Sequence, residues 1–461
     1  MHVTLLPAVE QLTLLKQGKI SPLELAEEYI SRILRFNPRL NAFADFDPDR
    51  IKQQARSIRP GPLSGLPVTI KASIATAGYR CEIGSTLLRG EIPTQNAVAV
   101  SRLLAAGAMI LGTTNCPELL MAYETDNLLY GRTRNPWDAS RTAGGSSGGE
   151  AAAIAAALSA GGLGSDSGGS VREPAHFSGI CAFKPTPGRI PSEGHLPSCT
   201  GPFSVLGSIG PMARTMADIR VLYEVLAGYA PCDPSSAPVT PRQTTVADVS
   251  NITIGWFEDD GLAPVTAETR QAVREAAQAL ERRGLRVKPF RPAMLEAARK
   301  LWDIFFVQCG AMFYGPLIAG REQTLSPTFQ DFLAIAKSRL SLTAESLLQA
   351  WSEWDGVRRQ FLYEMRECPI LLLPVCSIPA FRHGERAWAV EGQTLEYLDA
   401  MRFTQWFNVL ASPAAVVPVG RSAEDLPIGV QIAGRPYEDE LVLTVAELLD
   451  KEFGYCPPLL V

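Results

Sequence analysis

Histidine is scarce in this 461-residue sequence, and neither histidine nor cysteine occurs at the spacing of a metal site. There is no HExxH motif, and the nine cysteines include no CxxC pair. Zinc hydrolases depend on such ligand spacings, and secreted scaffolds depend on an even set of cysteines. We therefore expect no metal site and no disulfide framework, with most cysteines reduced and buried. The four histidines are His2, His176, His195 and His383.

A strong excess of charge and a long apolar run are also missing. The formal net charge is −5 with 20% charged residues, which gives no electrostatic reason to bind nucleic acid or an acidic membrane. Charge, proline or glycine interrupts each apolar run before the roughly 18 residues that span a bilayer. Residues 1–7 lack the basic region of a signal peptide. The expectation is a cytoplasmic protein with no membrane span and no nucleic-acid partner.

Short apolar segments bounded by glycine and proline alternate with helical patterns along the chain. Such segments are residues 66–70, 108–112, 370–374 and 414–419. This alternation indicates an α/β fold with a largely parallel sheet covered by helices. Length alone does not choose between one large domain and two or three smaller ones. The proline- and serine-rich stretch 231–241 is the best candidate for a boundary.

Helices are predicted at both ends and in a long internal stretch. Ser21-Pro22-Leu23-Glu24 is a capping box that begins an amphipathic helix, which we expect to stop near Asn37-Pro38. A last helix should follow Asp439. Residues 290–366 show helix after helix with many aromatic side chains, most of which we expect in the core.

The most informative segment, residues 144–170, carries two serine clusters on glycine-rich turns. An alanine-rich helical spacer at residues 151–159 joins them and fixes Ser146 relative to Ser170. A flexible linker would not enclose an apolar helix. Because glycine has no side chain, a glycine next to a serine leaves the backbone amides accessible, which suits an oxyanion hole. The amides that can converge there belong to Ser167, Gly168, Gly169 and Ser170.

A serine nucleophile needs a base, and the residues alone leave alternatives open. His176 lies six residues after Ser170 but has no obvious orienting acid. Lys71 ends the apolar run 66–71, where burial would lower its pKa and favour the neutral amine, although such a lysine is often a solvated strand end. Residues 145–149 also match GxSxG, which would make Ser147 the nucleophile of an α/β-hydrolase. That motif requires a downstream acid and histidine in a convincing context.

Several longer motifs together resemble the amidase signature family. They are Gly144-Gly-Ser-Ser-Gly-Gly-Glu150, Gly164-Ser-Asp-Ser-Gly-Gly-Ser170-Val-Arg172, Phe183-Lys-Pro-Thr-Pro-Gly-Arg189 and Gly210-Pro-Met-Ala-Arg-Thr215. Further landmarks, at residues 61–71 and 412–432, extend the resemblance over roughly the whole chain. Two positions depart from the usual pattern: Ala72 follows the lysine where many members carry an acid, and Ala143 stands where proline is common.

The resemblance implies a Ser-cisSer-Lys triad in one α/β/α domain, residues 1–461, around a large mixed sheet. In it Ser170 is the nucleophile, Ser146 the bridging serine after a cis peptide and Lys71 the base. Ser147 becomes a supporting residue, and Asp166 and Arg172 brace the loop by pairing. No metal or organic cofactor is implied.

We interpret the chain as a serine amidase that hydrolyses a small-molecule amide or carbamate (urethane) through an acyl-enzyme, as a monomer or homodimer. Two alternatives are a glutamine-dependent amidotransferase A-type subunit, which needs partner chains, and a non-catalytic scaffold with the same fold. A mostly helical insertion at residues 290–400 is expected to form a substrate-pocket wall. Candidate wall residues are Phe305, Phe306, Tyr314, Trp406 and Phe407.

Overall fold

The protein is an α/β domain built on one large mixed sheet; the structure, a computed structural model, describes residues 2–198 and 201–458. The strands are β1 (Phe43–Phe46), β2 (Pro67–Lys71), β3 (Met109–Thr114), β4 (Gly161–Asp166), β5 (Cys181–Lys184), β6 (Ser208–Ala213), β7 (Thr253–Trp256), β8 (Arg286–Pro289), β9 (Ile370–Pro374), β10 (Ala387–Val390), β11 (Gln393–Glu396), β12 (Ala414–Arg421) and β13 (Pro427–Gly434). All except the β10–β11 hairpin belong to the large sheet.

Helices cover this sheet. They are α1 (Ala8–Lys16), α2 (Pro22–Leu40), α3 (Pro48–Ala55), α4 (Val98–Ala105), α5 (Gly148–Ala155), α6 (Arg172–Ser178), α7 (Pro202–Leu206), α8 (Met216–Leu226), α9 (Val246–Ser250), α10 (Ala267–Arg282), α11 (Leu295–Trp302), α12 (Cys309–Ile318), α13 (Pro327–Lys337), α14 (Ala344–Glu364), α15 (Tyr397–Ala400), α16 (Arg402–Val409) and α17 (Asp439–Phe453). A π-helical segment, Asp303–Gln308, joins α11 to α12.

The strand order is β1-β3-β2-β4-β6-β5-β12-β13-β9-β7-β8. A mixed sheet covered by helices is thus confirmed. Parallel pairs lie in two groups, β3-β2-β4 and β9-β7-β8, whereas the pairs between β4 and β9 are antiparallel. Antiparallel neighbours need only a short connection, as between β12 and β13, while parallel ones need a crossover. Because strands from both sides of residues 231–241 share this sheet, that stretch is not a domain boundary.

The first long helix begins as predicted and ends later. The side chain of Ser21 accepts from the Glu24 amide, and Glu24 accepts from the Ser21 amide, which completes the capping box of α2. The helix nevertheless continues through Pro38 to Leu40 and ends at Asn41 in the left-handed conformation. The predicted stop near Pro38 is therefore wrong.

The aromatic-rich helical stretch runs from Leu295 to Glu364, α11 to α14. It lies on the sheet side where a second hydrophobic cluster forms, separate from the main core. Residues 370–374 lie within the bounds of the predicted insertion, 290–400, but form β9 of the large sheet. Leu295–Ile318 is long and apolar enough to cross a membrane by length and composition, but 44% of its most apolar window is buried inside the protein.

Candidate active site

Lys71 is the last residue of β2 and is completely buried. Thr69 and Lys71 share one face of the strand because side chains alternate along it, and α5 packs over this face. Glu150 of α5 accepts hydrogen bonds there from Thr69 and Thr114. The opposite face of the strand places Val68 and Ile70 in the main core. The fold therefore directs the lysine toward the loops at the carboxyl end of β2.

The Lys71 amine lies in a cluster of hydroxyl groups. Its Nζ is 2.7 Å from Ser146 Oγ and 3.0 Å from Ser165 Oγ. Burial lowers the pKa of Lys71 to about 8, and this effect outweighs the opposing attraction of Cys116, Asp166 and Glu150. A substantial fraction of the amine is consequently neutral near physiological pH, as a general base must be.

Ser146 and Ser147 lie on the turn that leads into α5. The Gly145–Ser146 peptide bond is cis, and the Gly145 amide donates to Glu173 Oε2 over 3.0 Å. Ser147 is fully buried, and its hydroxyl lies 3.3 Å from the Ser165 carbonyl oxygen. The structure thus aims Ser146 at Lys71, whereas Ser147 does not line either of the two cavities described below.

The loop from Ser167 to Ser170 is held by its carbonyl oxygens. The Ser167 carbonyl accepts from the Trp302 indole, and the Gly168 carbonyl accepts from Tyr123 and Thr404. A Cβ on Gly168 would lie 2.8 Å from the Trp302 ring, so that position requires glycine. The contacts come from separate elements of the fold and leave the loop one conformation.

These contacts also decide where the amides point. The carbonyl of one residue and the amide of the next share a planar peptide and face opposite ways. The Ser167 carbonyl bound to Trp302 therefore turns the Gly168 amide away from that indole. The Gly169 amide, in contrast, donates to Asp166 Oδ1 over 2.8 Å and is occupied. Of the four amides expected at the oxyanion hole, that of Gly169 is already bound.

Asp166 and Arg172 form a buried, two-pronged ion pair behind Ser170. Arg172 Nη2 is 2.9 Å from Asp166 Oδ1, and Nε is 3.0 Å from Oδ2. Burial by itself would raise the pKa of the Asp166 carboxyl, but the Arg172 charge and its hydrogen bonds hold that pKa below its usual range. The same carboxylate accepts from the Gly169 and Val171 amides, so the pair fixes the backbone on both sides of Ser170.

Replacing Arg172 with methionine should destabilise the fold strongly. The change leaves the Asp166 charge buried without its partner, and removes donors to Gln431, Asn408 and the Thr404 carbonyl. Breaking a buried pair from one side costs about 3–5 kcal/mol. Urea denaturation followed by fluorescence would measure this loss. The exposed pair of Lys288 and Glu367 supplies the control, because Lys288→Met should change the free energy of unfolding little. Equal losses in both variants would contradict this account.

Ser170 lines two adjoining cavities. The first is mainly apolar, and its charged wall residues, Asp331 and Arg386, pair with each other. The second contains Ser146, Ser165, Ser167 and His195. Ser170 lines both, whereas Ser146 lines only the second. Within residues 2–198 and 201–458 no hydrogen bond joins the Ser146 and Ser170 hydroxyls, although both residues line the second cavity.

Two of the five aromatic candidates lie on these walls. Phe306 lines both cavities and Tyr314 lines the second. Phe305, Trp406 and Phe407 are fully buried in the second hydrophobic cluster and do not line either cavity. Sequence reasoning missed Trp302 and Phe332 as wall residues, because helical aromatic patterns do not show which face meets a cavity.

His176 is unsuited to serve as the base. Its Nδ1 accepts from the Gly429 amide at 2.8 Å, and its Nε2 lies 3.1 Å from the Ile378 carbonyl. Burial lowers the pKa of this imidazole to about 4, so it is neutral and held by backbone groups. The arrangement gives His176 a structural position in the interior.

The amidase family model matches residues 24–443, and the chain belongs to this family, the amidase signature family. It is 32% identical to the A-type subunit of a glutamyl-tRNA(Gln) amidotransferase from Methylacidiphilum infernorum, over 97% of this chain and 94% of that protein. It is 33% identical to an acylamidase of Rhodococcus erythropolis, over 96% and 94%. The structure of 6-aminohexanoate cyclic dimer hydrolase complexed with substrate matches with a TM-score of 0.87 at 28% identity, over 100% of both chains.

Proposed function

We propose that the protein is a serine amidase that cleaves the C–N bond of an amide or carbamate through an acyl-enzyme. The observation that carries the proposal is the buried amine of Lys71, 2.7 Å from Ser146 Oγ, at a cavity lined by both Ser146 and Ser170. Lys71 is the base, Ser146 the relay and Ser170 the nucleophile. A buried neutral amine beside a hydroxyl suits proton transfer at mildly alkaline pH.

The reaction follows from these positions. Neutral Lys71 accepts the proton of Ser146 while Ser146 accepts the proton of Ser170, whose Oγ adds to the substrate carbonyl carbon. The oxyanion receives hydrogen bonds from the Gly168 and Ser170 amides. Collapse breaks the C–N bond, and Ser146 returns the proton to the leaving nitrogen. Water then attacks the acyl-enzyme by the same proton path, and Ser170 is regenerated.

The two cavities suggest separate binding places for the acyl group and the amine of the substrate. Because Ser146 must reach the leaving nitrogen and lines only the second cavity, the amine leaves through that cavity. The acyl group then occupies the apolar cavity between Trp302, Phe332 and Leu398. An apolar acyl or aryl group with a small, more polar leaving group fits this division.

A substrate series tests this assignment. In primary amides extended from acetamide to hexanamide and followed by ammonia release, kcat/KM should rise about fourfold per added methylene, from burial of about 0.8 kcal/mol each. Phe332→Ala should reduce this gain, because Phe332 lines only the acyl cavity. The matched control extends the amine side of N-alkyl acetamides, where Phe332→Ala should change nothing. A gain confined to the amine side would reverse the assignment. Esters and aryl carbamates in the same panel establish the bond that is preferred.

A second function is favoured by the relatives named as the A-type subunit of a glutamyl-tRNA(Gln) amidotransferase. In that case glutamine would be the amide donor, and partner chains would receive the ammonia. Glutaminase activity that appears only with partner chains, together with a larger species in size-exclusion chromatography, would support it. Turnover of anilides by the isolated chain, as a monomer or homodimer, would support the amidase. We propose no metal or organic cofactor for either reaction.

A further inference from the structure

A second series of hydrogen bonds leads from Lys71 away from Ser146. Lys71 Nζ is 3.0 Å from Ser165 Oγ, which is 3.4 Å from Ser73 Oγ. Ser73 Oγ is in turn 3.2 Å from His195 Nε2. His195 Nδ1 ends the series 2.9 Å from the Pro197 carbonyl oxygen. The mechanism above uses none of Ser165, Ser73 and His195.

The contact with the Pro197 carbonyl sets the direction of this series. A carbonyl oxygen only accepts, so His195 Nδ1 donates to Pro197 and, in the neutral ring, Nε2 carries a lone pair. Burial lowers the pKa of His195 to about 4, which keeps the ring neutral. Ser73 must therefore donate to His195. Since a hydroxyl has one hydrogen, Ser73 accepts from Ser165, and Ser165 Oγ can only accept from Lys71.

This direction determines where the lone pair of Lys71 points. The neutral amine has two hydrogens and one lone pair. Ser165 offers two acceptors, its Oγ at 3.0 Å and its carbonyl oxygen at 3.4 Å. Both hydrogens are then directed to Ser165, and the lone pair is left for the hydroxyl hydrogen of Ser146. The reverse direction would let the Ser165 hydroxyl occupy the lone pair and block the base.

We propose that Ser73 and His195 are positioning residues that keep the lone pair of Lys71 on Ser146 by fixing the direction of this hydrogen-bond series. The proposal rests on the proposed function, because it presumes that Lys71 is the base. In this role His195, which also lines the second cavity, acts on Lys71 through Ser73 and Ser165.

The charged and titratable groups that face Lys71 come from each element packed around it. They are Glu150 of α5, Asp166 at the end of β4, Cys116 after β3 and His195 itself. Substitution of Ser73 leaves all four groups in place. A change in the titration of Lys71 in that variant therefore reports the hydroxyl series.

The test measures how fast a fluorophosphonate labels Ser170 between pH 6 and pH 10, which needs no knowledge of the substrate. In Ser73→Ala the freed Ser165 hydroxyl turns to the Lys71 lone pair. The labelling rate at the high-pH plateau should fall by up to about tenfold, and the midpoint of the pH profile should move to lower pH by up to about one unit. Each change corresponds to the free energy of one buried hydrogen bond. His195→Phe should give the same result. The double variant, Ser73→Ala with His195→Phe, should show no larger change in labelling rate or midpoint than either single variant.

Two controls separate positioning from general damage. Ser73→Thr keeps the hydroxyl and should restore the wild-type midpoint. Ser178→Ala removes another fully buried serine hydroxyl, one that donates to the Ala143 carbonyl, and should leave the profile unchanged. The midpoint does not depend on how much of a variant folds.

Unchanged midpoints in Ser73→Ala and His195→Phe, or additive losses in the double variant, would overturn the inference and leave the proposed function standing. If Ser170 of the wild-type protein is not labelled at any pH, both the inference and the proposed function would be overturned.

Discussion

Ser170→Ala should abolish turnover, with a loss on the order of 10⁴-fold or more, because the covalent intermediate cannot form. In the wild type a fluorophosphonate should label Ser170, and mass spectrometry of the digested protein would locate the adduct. Ser170 lines both cavities, so a reagent entering either one reaches its hydroxyl.

Ser147→Ala is the matched control for this experiment. Ser147 is fully buried and should not be labelled, and its variant should retain measurable activity. Label on Ser147, with Ser170→Ala still active, would establish the α/β-hydrolase interpretation instead. A wild-type protein without label or turnover across the substrate panel would favour the non-catalytic scaffold.

Lys71→Ala should reduce kcat/KM by several orders of magnitude and remove the acid limb of the pH–rate profile. The base must be the neutral amine, and burial lowers the pKa of Lys71 to about 8. Activity should therefore climb from pH 7 and level off above about pH 9, since the neutral fraction rises through that pKa. Stopped-time assays in constant ionic strength buffers would measure the profile.

Two further variants define the proton path. Ser146→Ala should lose less activity than Lys71→Ala, because a water can join Lys71 to Ser170. His176→Ala should retain more activity than either, since both its ring nitrogens contact backbone groups in the interior. An acid limb near pH 6.5 that disappears in His176→Ala, with Lys71→Ala active, would show that histidine is the base.

Local chemistry made several parts of the fold predictable. The capping box of α2 involves residues three positions apart, and the alternation of apolar strands and helices predicted a sheet covered by helices. The end of α2 was not predictable, because the helix continues through Pro38, despite the general cost of proline inside a helix, to Asn41, whose side chain donates to the distant Tyr130 and Arg132 carbonyls. The antiparallel pairing in the middle of the sheet was likewise not predictable. It depends on which strands become neighbours, and local sequence patterns do not show this.

Motifs in the sequence are sufficient to place the chain in its family and to nominate three residues, Lys71, Ser146 and Ser170, for the candidate site. These motifs can be recognised in the sequence because each consists of a few consecutive residues, in which glycine and serine set the conformation of the local backbone. The packing of whole elements places Phe306 on both cavities beside Ser170 and buries Phe305 in the core. It also decided the hydrogen-bond direction from His195 to Lys71. Both depend on contacts between residues far apart in the chain, where burial and distance are set by the packing of whole elements.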